Sequence, residues 1–263
     1  VSKINIDTDL KKFAEYVNQF NHSSLFSNLR EQRGYSNDIF ALLNKDQTDY
    51  IKILADKILS LNSWMKYFMV SPKVLQIQVL KSNYDDKSAV SPTHAMLWHR
   101  DADDNFSHVK VIIPLHKIDE NNGFFSVADK RICKIHEKLN DVILQKKLDS
   151  IGDDYTREDS VRVTDDVFRK HFFNKIFDFK SDLGDILFVD TNRCYHKGGH
   201  IIKKNLNRNI IIITIGGITH SFNNYFKDNY FSFAKILAKF LNYLITLKFY
   251  AHGGKNSKKI NLN

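Results

Sequence analysis

The sequence predicts a mainly β domain with flanking helices, in the form of an antiparallel sandwich or barrel. Strand-like stretches follow one another with little helix between them, and turns such as DENNG separate them. These stretches lie at 74–80, 108–115, 123–128, 185–196 and 208–219. On either side of them, apolar residues recur at helical spacing instead, at 8–20, 46–61 and 230–250.

The 263-residue chain is predicted to form a single domain, 1–263. A charged and partly helical insertion, 129–180, separates the earlier strands from the later ones. Long connections in compact domains are usually functional or disordered, so this insertion is expected to be a lid. The predicted segments are N-terminal helices at 1–70, strands of the β core at 74–128 and 183–219, the insertion at 129–180, and a C-terminal helix at 230–250.

Composition and charge limit the classes of protein to consider. With 43% hydrophobic and 26% charged residues, the chain has an ordinary globular composition and is neither disordered nor fibrous. The net charge of +9 favours anionic partners, although a generally lysine-rich surface explains it equally well. Two widely spaced cysteines, Cys133 and Cys194, form no disulfide framework and fit a reducing compartment, so we expect a cytoplasmic protein. Neither a signal peptide nor a transmembrane helix is predicted.

The stretch 230–250 has one broad apolar face interrupted by lysines. A helix packed on the β core is the simpler interpretation. The alternative is a basic amphipathic helix that contacts a membrane surface.

Three residues have the pattern of a metal site. His99 and Asp101 stand two positions apart in WHRDADD, and on an extended chain such residues point to the same face. His196 ends the strand-like stretch GDILFVDTNRCYH beside two glycines that would let a ligand approach. Alone, the first pair fits a surface turn and His196 fits a buried, hydrogen-bonded histidine. Together, two histidines and one carboxylate leave three coordination positions open, as non-haem Fe(II) oxygenases require.

Arg208 makes this interpretation more specific. It lies twelve residues beyond His196, after a polar turn, and opens the stretch RNIIIITIGG. A hairpin of that length brings the start of the second strand beside the end of the first, so Arg208 would enter the same cavity as His196. Its planar fork suits a dicarboxylate because it makes two parallel charge-assisted hydrogen bonds. The alternative is a surface arginine at a strand end.

Four stretches in this order resemble the phytanoyl-CoA dioxygenase-like branch of the 2-oxoglutarate oxygenases. They are WHRDADD with HVKVIIPL, IDENNGFFSV, GDILFVDTNRCYHKGG and the arginine of LNRNIIIITIG, which together span 97–217. The resemblance implies a double-stranded β-helix, or jelly-roll, core. It also implies that His99, Asp101 and His196 bind Fe(II) and that Arg208 binds the far carboxylate of 2-oxoglutarate.

The sequence departs from this family at positions outside the metal ligands. Ala128-Asp129-Lys130 stand where the family usually has Gly-Ser-His, Gly198 where it often has Ser, and Met96 where many relatives have Gln. These departures concern the substrate and the finer contacts of 2-oxoglutarate. Asp101 excludes the related halogenases, in which a small residue replaces the carboxylate.

Two further residues are predicted to contact the co-substrate. Lys110 alternates with the apolar residues of HVKVIIPL and would point into the cavity toward a carboxylate, or else is a solvated strand lysine. Gln78 in VLQIQVL would help to hold 2-oxoglutarate at its metal end, or else faces solvent.

The resemblance implies an oxygenase that uses Fe(II), 2-oxoglutarate and O₂, releases succinate and CO₂, and by default hydroxylates a small-molecule substrate. The basic charge shifts the expected substrate toward anions and leaves the oligomeric state open. The alternatives are a non-catalytic cupin-like binding protein, a nucleic-acid demethylase, and an enzyme that acts on lipid-linked or acyl-carrier substrates through 230–250. Nucleic acid is not the expected partner, since no Lys/Arg stripe interleaved with aromatics accompanies the site.

Overall fold

A computed structural model describes the fold of the chain. The described residues are 2–3, 8–20, 36–67, 69–84, 86, 94–101, 106–128, 164–172 and 175–219. The predicted helix at 230–250 and most of the predicted insertion lie outside them. Among the described helices, none combines the length and the apolar character needed to cross a membrane.

Helices α1 (Thr8–Gln19) and α2 (Lys45–Leu61) lie where the sequence predicts N-terminal helices. α2 begins with a reciprocal cap: the Asn44 side chain accepts a hydrogen bond from the Gln47 backbone N–H at 2.9 Å. The Gln47 side chain accepts one from the Asn44 backbone N–H at 3.0 Å. These bonds satisfy N–H groups that lack a partner within the first turn.

Two short strands also lie in this N-terminal part, β1 (Ser2–Lys3) and β2 (Ser36–Asp38). The prediction of helices alone over 1–70 is therefore wrong at these positions. Strands of two and three residues are too short to show an alternating pattern, and their pairing partners lie far along the chain.

The larger sheet has six antiparallel strands in the order β1-β7-β4-β9-β3-β2. Its longer members are β3 (Met69–Asn83), β4 (Phe106–Pro114), β7 (Asp185–Val189) and β9 (Asn207–Thr219). β3 begins at Met69 rather than at the predicted residue 74. Register shifts next to Val70 and Val74 let this strand continue past Pro72, where a regular ladder would stop.

The smaller sheet has the order β6-β5-β8, formed by β5 (Phe125–Ala128), β6 (Ile176–Phe179) and β8 (His196–Gly198). β6 falls inside the predicted insertion 129–180, so that prediction is wrong at its C-terminal end. Four residues preceded by a helical pattern gave no clear strand signal. The preceding helix α3 (Asp165–Phe172) agrees with the partly helical character expected of the insertion.

The two sheets form a jelly roll, and alternation along β9 divides the molecule into two cores. Ile211, Ile213 and Ile215 are fully buried in a cluster that also contains the apolar faces of α1 and α2. Ile210 and Ile212 point the other way, into a second cluster shared with β5 and β6 of the smaller sheet. Side chains with the parity of Ile210 and Ile212 therefore line the interior between the sheets, and Arg208 has that parity.

Candidate metal centre

The two predicted histidine ligands lie side by side. Backbone hydrogen bonds join His99 and His196 in both directions, with N···O distances of 3.0 and 2.9 Å. Their ring centroids are 4.4 Å apart. This isolated antiparallel bridge unites residues 97 positions apart in sequence, and both side chains are buried, at 6% and 2% exposure.

Each ring is oriented by a carbonyl two residues earlier in the chain. His99 Nδ1 lies 2.7 Å from the Leu97 carbonyl oxygen, and His196 Nδ1 lies 3.1 Å from that of Cys194. Since a carbonyl only accepts, Nδ1 carries the proton in both rings and Nε2 carries the lone pair. Burial lowers the pKa of His196 to about 4, so this ring is neutral near pH 7. Histidines that bind metals usually donate one ring N–H to a carbonyl and bind the metal through the other nitrogen. Both imidazoles have this arrangement, with Nε2 left to bind a metal.

Asp101 completes the cluster. Its backbone N–H donates to the Thr191 carbonyl at 2.9 Å, which fixes the chain just after His99. One carboxylate oxygen lies 3.9 Å from His99 Nε2, and the other lies 3.8 Å from His196 Nε2. The donor atoms of the three residues lie within 4.8 Å of one another, a spacing that could hold one metal ion. The structure thus brings the three predicted ligands together.

Two basic residues of β4 approach the same carboxylate. Lys110 Nζ lies 2.6 Å from Asp101 Oδ2, and His108 Nε2 lies 3.4 Å from that atom. Burial acts to raise the pKa of Asp101, but the Lys110 charge and the His108 hydrogen bond hold it well below its usual range. The carboxylate is therefore ionised at neutral pH and fit to bind a cation.

Sequence reasoning missed His108. Its signal is the alternation that singled out Lys110, since residues two apart in a strand share a face. Lys110 was predicted to contact a carboxylate of the co-substrate, but the carboxylate that it contacts in the structure is that of Asp101. The contact of Lys110 with a co-substrate therefore stays a prediction.

The Arg208 side chain lies beside β8, as predicted, but the predicted hairpin is wrong, because β8 and β9 belong to different sheets. Nη1 of Arg208 donates to the carbonyl oxygens of Gly123 and Gly199, at 2.5 and 2.7 Å. The side chain is buried, and a Cβ added to Gly198 would lie 3.5 Å from Nη2. Because Gly198 stands two residues after His196 on the same strand face, the guanidinium lies about one strand repeat, roughly 7 Å, along the sheet from the histidine.

The carbonyls that hold Arg208 belong to two chain segments in unusually close contact. Gly123, with φ of +78°, packs its backbone directly against Gly199. A Cβ at Gly123 would lie 2.7 Å from the carbonyl carbon and oxygen of Gly199. Only glycine permits both the left-handed conformation and this approach. The glycines near His196 thus bring two carbonyls to one guanidinium, a role the sequence did not suggest.

The side chain of Gln78 has Asp38 as its hydrogen-bond partner. Gln78 pairs with Ile212 in the larger sheet and lies on the interior face, and its Nε2 is 3.5 Å from Asp38 Oδ2. Asp38 also accepts backbone hydrogen bonds from Phe40 and Val79. The role of Gln78 as a co-substrate contact stays a prediction.

Comparison with solved structures supports the fold. HygX from Streptomyces hygroscopicus, with nickel, 2-oxoglutarate and hygromycin B bound, matches with a TM-score of 0.50 at 11% identity, covering 82% of this chain and 81% of HygX. SnoN, an epimerase solved with Fe³⁺, α-ketoglutarate and nogalamycin RO, matches at 0.46 and 13% identity over 86% and 83% of the two chains. AviO1 from Streptomyces viridochromogenes Tue57 matches at 0.43 and 11% identity over 81% and 86%. No protein-family model and no curated protein matches the sequence.

The HygX match, at 11% identity, establishes a shared jelly-roll fold. Fold alone does not define activity, because one fold carries many chemistries. Membership in the phytanoyl-CoA dioxygenase-like family stays a prediction.

Proposed function

We propose that this protein is an Fe(II)- and 2-oxoglutarate-dependent oxygenase that hydroxylates a small-molecule substrate. The observation that carries the proposal is the buried cluster of His99, Asp101 and His196, whose donor atoms lie within 4.8 Å of one another. Its two-histidine, one-carboxylate composition is that of the facial triad of non-haem iron oxygenases.

The side chains themselves fit a divalent cation. Both imidazoles are oriented through Nδ1, so that Nε2 faces the cluster, and Asp101 contributes the single negative charge. When bound, Fe(II) together with 2-oxoglutarate would activate O₂, and oxidation of the substrate would accompany release of succinate and CO₂. HygX, which shares the fold, binds nickel and 2-oxoglutarate.

Arg208 is proposed to bind the far carboxylate of 2-oxoglutarate. Its guanidinium is buried, fixed by two carbonyls, and positioned about one strand repeat from His196. A five-carbon dicarboxylate would span that interval, with one end at the metal and the other at the arginine. Burial strengthens this recognition, because charge-assisted hydrogen bonds gain strength where water is excluded.

Apolar side chains of the interior cluster would exclude water from the reacting centre. The Phe125 ring lies 5.5 Å from the His196 ring in a nearly parallel arrangement. Leu187, Val189 and Ile212 extend this apolar lining across the larger sheet. Asp101, at 25% side-chain exposure, is the most solvent-exposed of the three proposed ligands. A substrate would therefore approach the cluster from the side on which Asp101 lies.

The proposed substrate is a small metabolite or biosynthetic intermediate, with a preference for anions. The net charge of +9 and the Lys110 ammonium beside the cluster support that preference. HygX, which shares the fold, binds hygromycin B, and this supports a small-molecule substrate.

Anaerobic titration of the protein with Fe(II) and 2-oxoglutarate tests the proposal. Wild-type protein should develop the weak visible charge-transfer band of the metal chelate. Asp101→Ala should abolish the band, and Arg208→Ala should weaken co-substrate binding by about tenfold or more, the cost of losing a buried charged hydrogen bond. Arg193→Ala is the matched control, because the half-buried Arg193 forms a long ion pair with Asp190, at 3.6 Å, and contacts none of the proposed metal ligands in the described hydrogen bonds and ion pairs.

Each result has a definite meaning. A band that Asp101→Ala abolishes and Arg193→Ala preserves supports the oxygenase, and succinate release on addition of O₂ then allows substrates to be screened. Product analysis separates hydroxylation from desaturation, cyclisation and epimerisation. Absence of both the band and 2-oxoglutarate binding in wild-type protein would refute the proposal and favour a non-catalytic cupin-like protein.

A further inference from the structure

The two histidine ligands rest on very little regular secondary structure. His99 belongs to an isolated bridge, and His196 begins a strand of three residues. Metal sites need ligands held to within about half an ångström, so support must come from the surrounding contacts.

That support lies on the outer face of the bridge. By strand alternation, Trp98 and Lys197 point away from the metal cluster, because each is adjacent in sequence to a ligand that points into it. Trp98 is fully buried and Lys197 is 8% exposed. The conformation of each therefore affects the backbone of the histidine beside it.

One carboxylate oxygen joins these two residues. Trp98 Nε1 donates to Asp165 Oδ1 at 2.8 Å, and Lys197 Nζ lies 2.7 Å from the same oxygen. Asp165 is in the first turn of α3, which packs behind the smaller sheet through a stack of Phe168 on Trp98, with ring centroids 4.2 Å apart. A residue 67 positions from Trp98 thus connects the neighbours of both ligands.

Asp165 is itself held in place. Arg169, one turn later in α3, approaches both of its oxygens through Nε at 3.0 and 3.1 Å. The same guanidinium binds Asp178 of β6, and Ser126 of β5 donates to that carboxylate at 2.6 Å. Two carboxylates and two cations balance in this group, here called the outer cluster: Trp98, Ser126, Asp165, Arg169, Asp178 and Lys197.

We propose that Asp165 is a positioning residue for the metal centre, which fixes His99 and His196 from outside by holding Trp98 and Lys197. This inference rests on the proposed function, because the proposed function assigns the metal to these histidines. Asp165 does not act as a ligand, because its carboxylate lies on the face of the bridge opposite the cluster. Its counterpart Asp178 contacts only Arg169 and Ser126 within the outer cluster, so the two aspartates differ in whether they touch the neighbours of the ligands.

The test is titration with Co(II), whose visible spectrum reports ligand geometry without any catalytic turnover. Asp165→Asn should weaken Co(II) affinity by about tenfold, the lower end of the effect of outer-shell partners, and should change the shape of the visible spectrum. Asp178→Asn is the matched control: it removes the same charge from the outer cluster but should leave Co(II) affinity within about twofold. Thermal unfolding of the metal-free proteins measures any general loss of stability.

Asp165 is 42% exposed, so the isosteric asparagine should be accommodated. If Asp165→Asn nevertheless fails to fold, Trp98→Phe provides the second test, because it retains an aromatic ring against Phe168 and removes the indole N–H together with the pyrrole ring that carries it. Thermal unfolding of the metal-free variant measures the cost of the cavity at this fully buried position. Trp98→Phe should also weaken Co(II) binding and alter the spectrum.

Three outcomes would overturn the positioning role: unchanged Co(II) binding in Asp165→Asn, equal weakening in both aspartate variants, or no specific Co(II) binding by wild-type protein. The proposed oxygenase fails separately. Wild-type protein that binds Co(II) but not 2-oxoglutarate would refute the oxygenase and leave the positioning role of Asp165 intact.

Discussion

Replacing Gly123 by alanine tests how the co-substrate arginine is held. The new Cβ would lie 2.7 Å from the carbonyl carbon and oxygen of Gly199 and equally close to the His200 carbonyl oxygen. All three contacts are with backbone, so no flexible side chain can move aside. The residue would also have to keep its φ of +78°, which costs a non-glycine residue about 1–2 kcal/mol.

Overpacking against backbone adds about 1–3 kcal/mol, for a total loss of roughly 2–5 kcal/mol in the free energy of unfolding. In a chain of this size that corresponds to a fall in Tm of about 5–15 °C. Because Gly123 and Gly199 supply the carbonyls bonded to Arg208, the variant should also weaken 2-oxoglutarate binding more than its loss of stability explains.

Gly198→Ala is the matched control. Its Cβ would meet the Ala95 carbonyl oxygen and Arg208 Nη2 at 3.5 Å, which is ordinary van der Waals contact. Urea unfolding followed by circular dichroism gives the stability of both variants, and isothermal titration gives the 2-oxoglutarate affinity. Equal stability losses in the two variants would refute the close-contact argument. Normal 2-oxoglutarate binding by a destabilised Gly123→Ala protein would refute the link to Arg208.

Three further predictions concern the frame of the domain. Ile213→Ala, at a fully buried position between the larger sheet and the helices, should cost about 2–5 kcal/mol in urea unfolding, whereas Leu61→Ala, at 72% exposure, should change stability by less than about 0.5 kcal/mol. Asn44→Ala should cost about 1 kcal/mol in the free energy of unfolding, because it removes the side-chain half of the α2 cap. The effect is at the end of the helix, so a loss of helical circular dichroism greater than that of one turn would contradict it. Burial raises the pKa of Asp38 above its usual 3.8 despite three hydrogen bonds, so the folded state binds this proton more tightly than the unfolded chain. This contribution to stability is complete below pH 3.8 and is lost as pH rises through the higher folded-state pKa, so the difference in stability between wild type and Asp38→Asn should change over that window and be constant above it.

The sequence predicted those parts of the fold and site whose signals are local. The strand-like character of 208–219 predicted β9, which begins one residue earlier, at Asn207. The His-x-Asp spacing placed His99 and Asp101 in one cluster. His196 joins them, but the single strand predicted at 185–196 is wrong: β7 ends at Val189, and His196 begins β8 in the other sheet. The inference for His99 and Asp101 uses residues two positions apart, where strand geometry leaves few alternatives. The joining of His196 and Arg208 to them was expected from the resemblance to the 2-oxoglutarate oxygenases.

Features set by contacts distant in sequence were missed. β1, β2 and β6 have two to four residues each, and they are strands because a partner far along the chain supplies their hydrogen bonds. Asp165 was not recognised for the same reason, since nothing near it in sequence identifies Trp98 and Lys197 as its partners. His108 is the exception, because the alternation that singled out Lys110 applied equally to it.

The four motif residues can be read from the sequence, whereas the contacts that hold them in place depend on the fold. A chain could retain His99, Asp101, His196 and Arg208 and still fail to hold a metal, because the ligand bridge consists of two backbone hydrogen bonds between distant segments. On the inner side, Gly123 and Gly199 fix the arginine through backbone carbonyls that substitution would displace. On the outer side, α3 contacts the residues that flank both histidines. We therefore expect transfer of the four motif residues to another jelly roll to give metal binding only when both supports are transferred with them.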